Sequence, residues 1–248
     1  MTTPNKITAV VLCGGLGTRL REFSGGLPKP MVDVAGRPFL EYLLDYLADQ
    51  NVKDVVLAVS YQYEHITEHF GNHYQDMAIR YSIEQKPLGT GGAIKQAIDV
   101  CIPDRENAVL VINGDTFVDF SLSEMYQTLT ASNADLAMTL VDCEDTSRYG
   151  RVTTDENRVI RFEEKQQGSP GLINAGVYLL SPRLIDDLPK GDVFSFENDV
   201  LMKIVSTHRL YGCVTKGTSS ISVYRKTLKK RKSTSESLTN TGETQGYD

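Results

Sequence analysis

The stretch ITAVVLCGGLGTRL, Ile7–Leu20, decides the fold. Its first six residues are an apolar, β-branched run that reads as a buried strand. The run passes straight into Gly14, Gly15 and Gly17, with Arg19 closing the loop. Outward from there, apolar runs alternate with helical spacing. Pro38–Asp49 carries Phe39, Leu40, Leu43, Leu44 and Leu47 on one helical face. Strands are then predicted at Asp54–Ser60, Ile79–Ile83 and Ala108–Ile112, with helices at Glu64–Phe70 and Gly91–Val100. Strands alternating with helices predict βαβ units, so the expected class is α/β, with a mostly parallel sheet covered by helices on both faces. After Ser121 the rhythm changes: a helix over Leu122–Thr130, strands at Asp135–Val141, Arg151–Thr153, Val159–Glu163 and Ile173–Leu180, and a helix over Glu197–Val205. These predict a mixed sheet appended to the first and sharing its core.

The chain has 248 residues, enough for one large α/β domain. We expect a single domain over 1–217, with a first part about 1–120 and a second about 121–217. With 40% hydrophobic and 23% charged residues the composition is that of a globular protein. A formal net charge of −6 argues against nucleic acid as a partner, since such proteins present a basic face. The four cysteines are scattered without a CxxC pair, which argues against structural zinc and a disulfide framework. The opening lacks the pattern of a signal peptide, and no apolar run has the length of a membrane span. A soluble, cytoplasmic protein is expected, and self-association into a homo-oligomer stays open.

Four motifs carry chemistry. Gly14, Gly15 and Gly17 remove side chains where backbone N–H groups can form a nest for an anion, and Arg19 adds a guanidinium. A tight strand-to-helix turn would also explain the glycines alone. In LPKPM, Leu27–Met31, two prolines stiffen the loop that holds Lys29. In IEQKPLGTGGA, Ile83–Ala93, Gly89, Gly91 and Gly92 allow close backbone approach, and Thr90 is expected to N-cap the following helix. In VLVINGDTF, Val109–Phe117, Asp115 stands at the carboxyl end of a strand, where ligands gather in open α/β sheets. A carboxylate there suits Mg²⁺, which takes few carboxylates together with phosphate oxygens and water.

GGLGTRL followed by LPKPM resembles the signature of the sugar-phosphate nucleotidyltransferase family, and the resemblance runs from Thr8 to about Gly217. It implies a Rossmann-like fold of the nucleotide-diphospho-sugar transferase type. It also implies transfer of a nucleotidyl group from a nucleoside triphosphate to a sugar 1-phosphate, with Mg²⁺ as cofactor. Arg19, Lys29 and Asp115 would be catalytic, with Asp115 also on the metal. Leu12, Gly14, Gly15, Gly17, Thr18, Glu84, Gly89 and Thr90 would hold the nucleotide. Tyr149, Gly150, Glu164, Lys165 and Asn174 would hold the sugar phosphate. Glu84, placed by the resemblance at the base edge, only accepts hydrogen bonds, and guanine presents two adjacent donors, which favours GTP. The combination of GRPFLEYLLDYL, LAVSYQYE and IEQKPLGTGGAIKQA with the first two motifs is similar to bacterial D-glycero-α-D-manno-heptose 1-phosphate guanylyltransferases. That implies GDP-heptose for surface polysaccharide or S-layer glycan. Alternatives are a mannose 1-phosphate guanylyltransferase, an N-acetylmuramate 1-phosphate uridylyltransferase, or a non-catalytic nucleotide-sugar sensor. A Rossmann dehydrogenase is disfavoured because GGLGTR lacks GxGxxG.

The C-terminus departs from the family. Members continue with a stretch like GYFIDIGVPEDF, whose first aspartate is a second metal ligand, whereas this chain reads GTSSISVYRKTLKKRKSTSESLTN from Gly217. Codons can be chosen for that string that, read two bases later, give YFIDIGVPEDFKKAQIDF. Residues 218–248 are therefore expected to be a disordered polar tail produced by loss of one base near Lys216–Gly217. Ile221 then stands in the place of the second aspartate.

Overall fold

The computed structural model describes residues 7–14, 27–147, 150–163 and 169–215. The tail from Lys216, including Ile221, lies outside them.

The order of elements follows the hydrophobic pattern closely. β1 (Thr8–Leu12) leads to a 3-10 turn at Lys29–Met31 and a small hairpin, β2 (Asp33–Val34) and β3 (Arg37–Pro38). Then come α1 (Phe39–Asp49), β4 (Asp54–Val59), α2 (Glu64–Phe70), β5 (His73–Tyr74), β6 (Met77–Ile83), α3 (Gly89–Cys101) and β7 (Val109–Asn113). The second part holds α4 (Leu122–Ala131), β8 (Leu136–Cys143), β9 (Arg151–Asp155), β10 (Arg158–Glu163), β11 (Gly171–Leu180) and α5 (Pro182–Asp186). A π-helical turn at Phe196–Leu201, α6 (Met202–Ile204) and β12 (Leu210–Thr215) complete it.

Ten strands form one sheet in the order β5-β6-β4-β1-β7-β11-β8-β12-β10-β9. Because successive side chains point to opposite faces, each central strand feeds two cores. Ala9, Val11, Val55, Leu57, Leu110 and Ile112 pack with α1, α2 and α4 on one face. Val10, Val56, Ala58, Val109 and Val111 pack with α3, α5 and the π-helical turn on the other. This double burial explains why the strands read as continuous apolar runs rather than alternating ones.

The expected parallel order is confined to β6-β4-β1-β7 and the β8–β12 pair. Beyond β7 the sheet is mixed. β11 runs antiparallel to both β7 and β8. β9 and β10 are joined only through Glu156 and Asn157, and so short a connection can make only an antiparallel pair. The first half of β11 also pairs with β9 through Leu172 and Ile173. Strands β11, β8, β12, β10 and β9 thus close a circuit, and the far end of the sheet curls onto itself. The helix expected over Glu197–Val205 begins with the π-helical turn, capped by Ser195, whose hydroxyl accepts the Asn198 N–H.

Candidate active site

β1 and β7 are parallel neighbours with Leu12 opposite Asn113, so the loops after both strands leave the same edge of the sheet. The Gly114 N–H donates to the Leu12 carbonyl at 3.0 Å. A Cβ at Gly114 would stand 2.7 Å from that oxygen, so only glycine permits the approach. The approach sets Asp115 at the carboxyl edge. One Asp115 oxygen accepts the Thr116 hydroxyl at 2.9 Å and the other forms an ion pair with the Lys29 ammonium. Lys29 opens the 3-10 turn and its side chain is 23% exposed, against 45% for Asp115. Two residues from separate motifs therefore meet at the carboxyl edge of the sheet.

A cavity of about 600 Å³ is lined by Leu12, whose carbonyl Gly114 holds, and by Gly14, Ser60, Glu84, Gly89 and Thr90 among others. Glu84 follows β6, half-buried. One of its oxygens accepts the Leu88 N–H at 3.1 Å. The other lies 2.4 Å from where a Gly14 Cβ would be, so the glycine makes room for the carboxylate. The Ser60 hydroxyl holds the Gly14 carbonyl from the side. Burial pushes the Glu84 carboxyl above the ordinary range, and the Leu88 N–H only partly offsets this.

The glycine-rich loop before α3 departs from expectation. Thr90 does not N-cap the helix; α3 begins at Gly89, whose φ of +72° is left-handed. The orphan N–H groups of Gly91 and Gly92 donate to the Phe194 carbonyl at 3.0 and 3.3 Å. A Cβ at Gly91 would meet the Phe194 ring at 2.3 Å, and one at Gly92 the Asp192 carbonyl at 2.1 Å. Gly91 and Gly92 thus admit another segment of the chain to the helix start, where a ligand's approach was expected. Gly89 still lines the cavity. Thr90 also turns to that segment, accepting the Phe196 N–H at 2.9 Å and donating to Glu197 at 2.7 Å.

Of the residues expected to hold the sugar phosphate, Asn174 sits at a register shift in β11. Its carbonyl oxygen accepts the Gly176 N–H at 3.0 Å and its amide donates to the Tyr178 hydroxyl at 2.7 Å. Gly176, at φ +75°, lies under Asn113, whose amide nitrogen would be 2.4 Å from a Cβ there. This packing joins the β11 irregularity to the strand end that carries Asp115. At Gly150 a Cβ would stand 2.7 Å from the Glu163 carbonyl. Gly15, Gly17, Thr18, Arg19, Tyr149, Glu164 and Lys165 lie outside the described residues. Sequence reasoning missed Glu197 and Tyr178 as the partners of Thr90 and Asn174. Glu197 read as the start of the helix over Glu197–Val205, and its partner Thr90 is 107 residues away.

The nucleotidyl transferase family model matches residues 8–220. The D-glycero-α-D-manno-heptose 1-phosphate guanylyltransferase of Campylobacter jejuni is 45% identical over 190 residues, covering 76% of this chain and 82% of that protein. Its counterpart from Aneurinibacillus thermoaerophilus is 42% identical over 206 residues, covering 83% and 88%. The crystal structure of HddC from Yersinia pseudotuberculosis complexed with GMP-PN superposes with a TM-score of 0.76 at 37% identity. That match covers 91% of this chain and all of that one. The chain belongs to the nucleotidyl transferase family.

Proposed function

We propose that this protein transfers GMP from GTP to D-glycero-α-D-manno-heptose 1-phosphate, giving GDP-heptose and pyrophosphate in the cytoplasm. The observation that carries the reading is the Lys29–Asp115 pair, tied through the Gly114–Leu12 hydrogen bond to a cavity walled by Leu12, Gly14 and Glu84. It is supported by the two heptose 1-phosphate guanylyltransferases above, and by the solved neighbour complexed with GMP-PN.

In this reading the cavity receives guanosine, and the Glu84 carboxylate accepts the N1–H and N2–H of guanine. The glycine loop and Arg19 hold the triphosphate, and Lys29 neutralises charge gathering on the α-phosphate as the sugar phosphate attacks in line. The attacking oxygen is already ionised, so no general base is required. Glu164, Lys165, Tyr149, Gly150 and Asn174 orient the sugar phosphate. Asp115 fits Mg²⁺: it is a half-exposed carboxylate already holding a cation, at a strand end where phosphate oxygens and water can complete the shell. A bound Mg²⁺ supplies charge stabilisation for the departing pyrophosphate.

The test is pyrophosphate release by the whole chain with Mg²⁺, GTP and the heptose 1-phosphate. Turnover with this pair, and none when UTP replaces GTP, is expected. Faster turnover with mannose 1-phosphate would move the sugar assignment to the mannose enzymes, to which a Mycobacterium tuberculosis relative at 36% identity belongs. Ligand binding without pyrophosphate release would refute catalysis.

A further inference from the structure

One carboxylate touches both halves of the site. Glu197, in the π-helical turn, accepts the Thr90 hydroxyl at 2.7 Å and the Ser195 hydroxyl at 3.2 Å on one oxygen. Its other oxygen accepts the Tyr178 hydroxyl at 3.4 Å. Tyr178 is buried, and burial pushes its pKa well above the usual range, so the phenol keeps its proton and donates. The same hydroxyl accepts the Asn174 amide. A hydrogen-bonded chain thus runs from Thr90, on the wall of the nucleotide cavity, through Glu197 and Tyr178 to Asn174 on the sugar strand.

Three donors occupy three of the roughly four lone-pair directions of the carboxylate. Glu197 therefore has little capacity left for a substrate hydroxyl and acts through its neighbours. The π geometry inserts a residue into the turn, and such insertions recur where a helix must aim one side chain. Below it, the Phe194 carbonyl holds the N–H groups of Gly91 and Gly92, and the Phe194 N–H donates to the Leu88 carbonyl at 3.0 Å. The nucleotide loop is bound to this segment on backbone and side chain together, so the loop moves only if the segment does.

We propose that Glu197 is a positioning residue that couples the two substrates: ordering of Thr90 by bound nucleotide is passed to Asn174, and the reverse. This rests on the functional reading above for which ligand sits on which side. A ligand that immobilises one end of the chain lowers the ordering cost at the other, and the enhancement is reciprocal by linkage.

Dissociation constants are measured for a GTP analogue that cannot be cleaved between the α- and β-phosphates, and for the heptose 1-phosphate, each alone and with the other saturating. In the wild-type chain each ligand strengthens the other by about fivefold or more, within the usual range of such couplings. In Glu197→Gln the enhancement falls below about twofold, while each ligand alone binds within about threefold of wild type. A residue that only supported the fold would shift melting temperature and both affinities but leave their ratio unchanged. An unchanged ratio in Glu197→Gln, or no enhancement in the wild type, overturns the proposal. If the wild type does not bind the heptose phosphate, the sugar assignment fails, and the coupling is read from hydrogen exchange instead. The tightest-binding nucleoside triphosphate analogue should then slow exchange at Asn174–Tyr178 in the wild type and not in Glu197→Gln. Exchange that does not respond in the wild type overturns the coupling on that arm too.

Discussion

Gly92→Ala separates helix propensity from packing, because the two predict opposite signs. In an exposed helix the change would stabilise by about 1 kcal/mol. Here the new Cβ would lie 2.1 Å from the Asp192 carbonyl oxygen, a backbone atom, and 2.8 Å from the Leu88 Cβ. The Asp192–Phe194 segment has to retreat by about 0.9 Å to restore a 3.0 Å contact. Such a retreat breaks the bonds that Gly91 and Gly92 make to the Phe194 carbonyl, which start at 3.0 and 3.3 Å. Two buried hydrogen bonds contribute about 1–3 kcal/mol, and overpacking costs about 1–3 kcal/mol more. After the propensity gain, the net destabilisation is about 1–5 kcal/mol. Urea unfolding of the whole chain measures it. Gly191→Ala is the control, since no atom lies within 4 Å of a Cβ there, and it should stay within about 0.5 kcal/mol of wild type. A Gly92→Ala chain as stable as wild type, or more so, would refute the claim that this glycine exists to admit the neighbouring segment.

Lys29→Ala should lower kcat by about 10²–10³-fold, the usual effect of removing one charge stabiliser, while urea unfolding changes by less than about 1 kcal/mol because the pair is partly exposed. Glu84→Gln should raise KM for GTP about ten- to a hundredfold, from loss of charge-assisted bonds to the base. The same substitution should raise the melting temperature at pH 7. The folded-state pKa of Glu84 lies above its unfolded value, so its stabilising contribution is full below the unfolded value and lost as pH rises through the folded one. The thermal advantage of the variant should therefore vanish near pH 4. Replacing the residues after Gly217 with YFIDIGVPEDFKKAQIDF should lower the Mg²⁺ concentration for half-maximal pyrophosphate release severalfold, by supplying a second carboxylate. Sequencing the gene across those codons tests the cause, and a frame in which YFIDIG cannot be read would exclude it.

Residues whose neighbours are close in sequence were legible. Phe39, Leu40, Leu43, Leu44 and Leu47 mark α1 by spacing alone, and the doubly buried strands announce themselves as unbroken apolar runs. Lys29 and Asp115 stood out because each sits in a local frame, two prolines or a strand-end glycine, that fixes its direction. Long-range partnerships were not legible. Nothing near Thr90 indicates that its hydroxyl is taken by Glu197, so a local capping rule gave the wrong role. The same holds for Gly91 and Gly92, whose missing side chains make room for the chain itself. β12 escaped notice because Gly212 interrupts its pattern; a Cβ there would meet the tip of the Leu140 side chain at 2.3 Å. The hairpin β2–β3 and strand β5, two residues each, are too short for any periodicity.

The position of β12 bears on how the chain acquires its fold during synthesis. This strand is the last in sequence among the described elements, yet it lies between β8 and β10, both made earlier. Until Leu210–Thr215 emerge, the edge of β8 from Leu136 to Val141 has no partner on that side. It presents unpaired backbone groups along an apolar strand, the kind of edge on which nascent chains stick to one another. Ribosome-bound chains that stop before Leu210 should therefore be the aggregation-prone species, and the final strand acts as a late bolt that removes the hazard once it slides in.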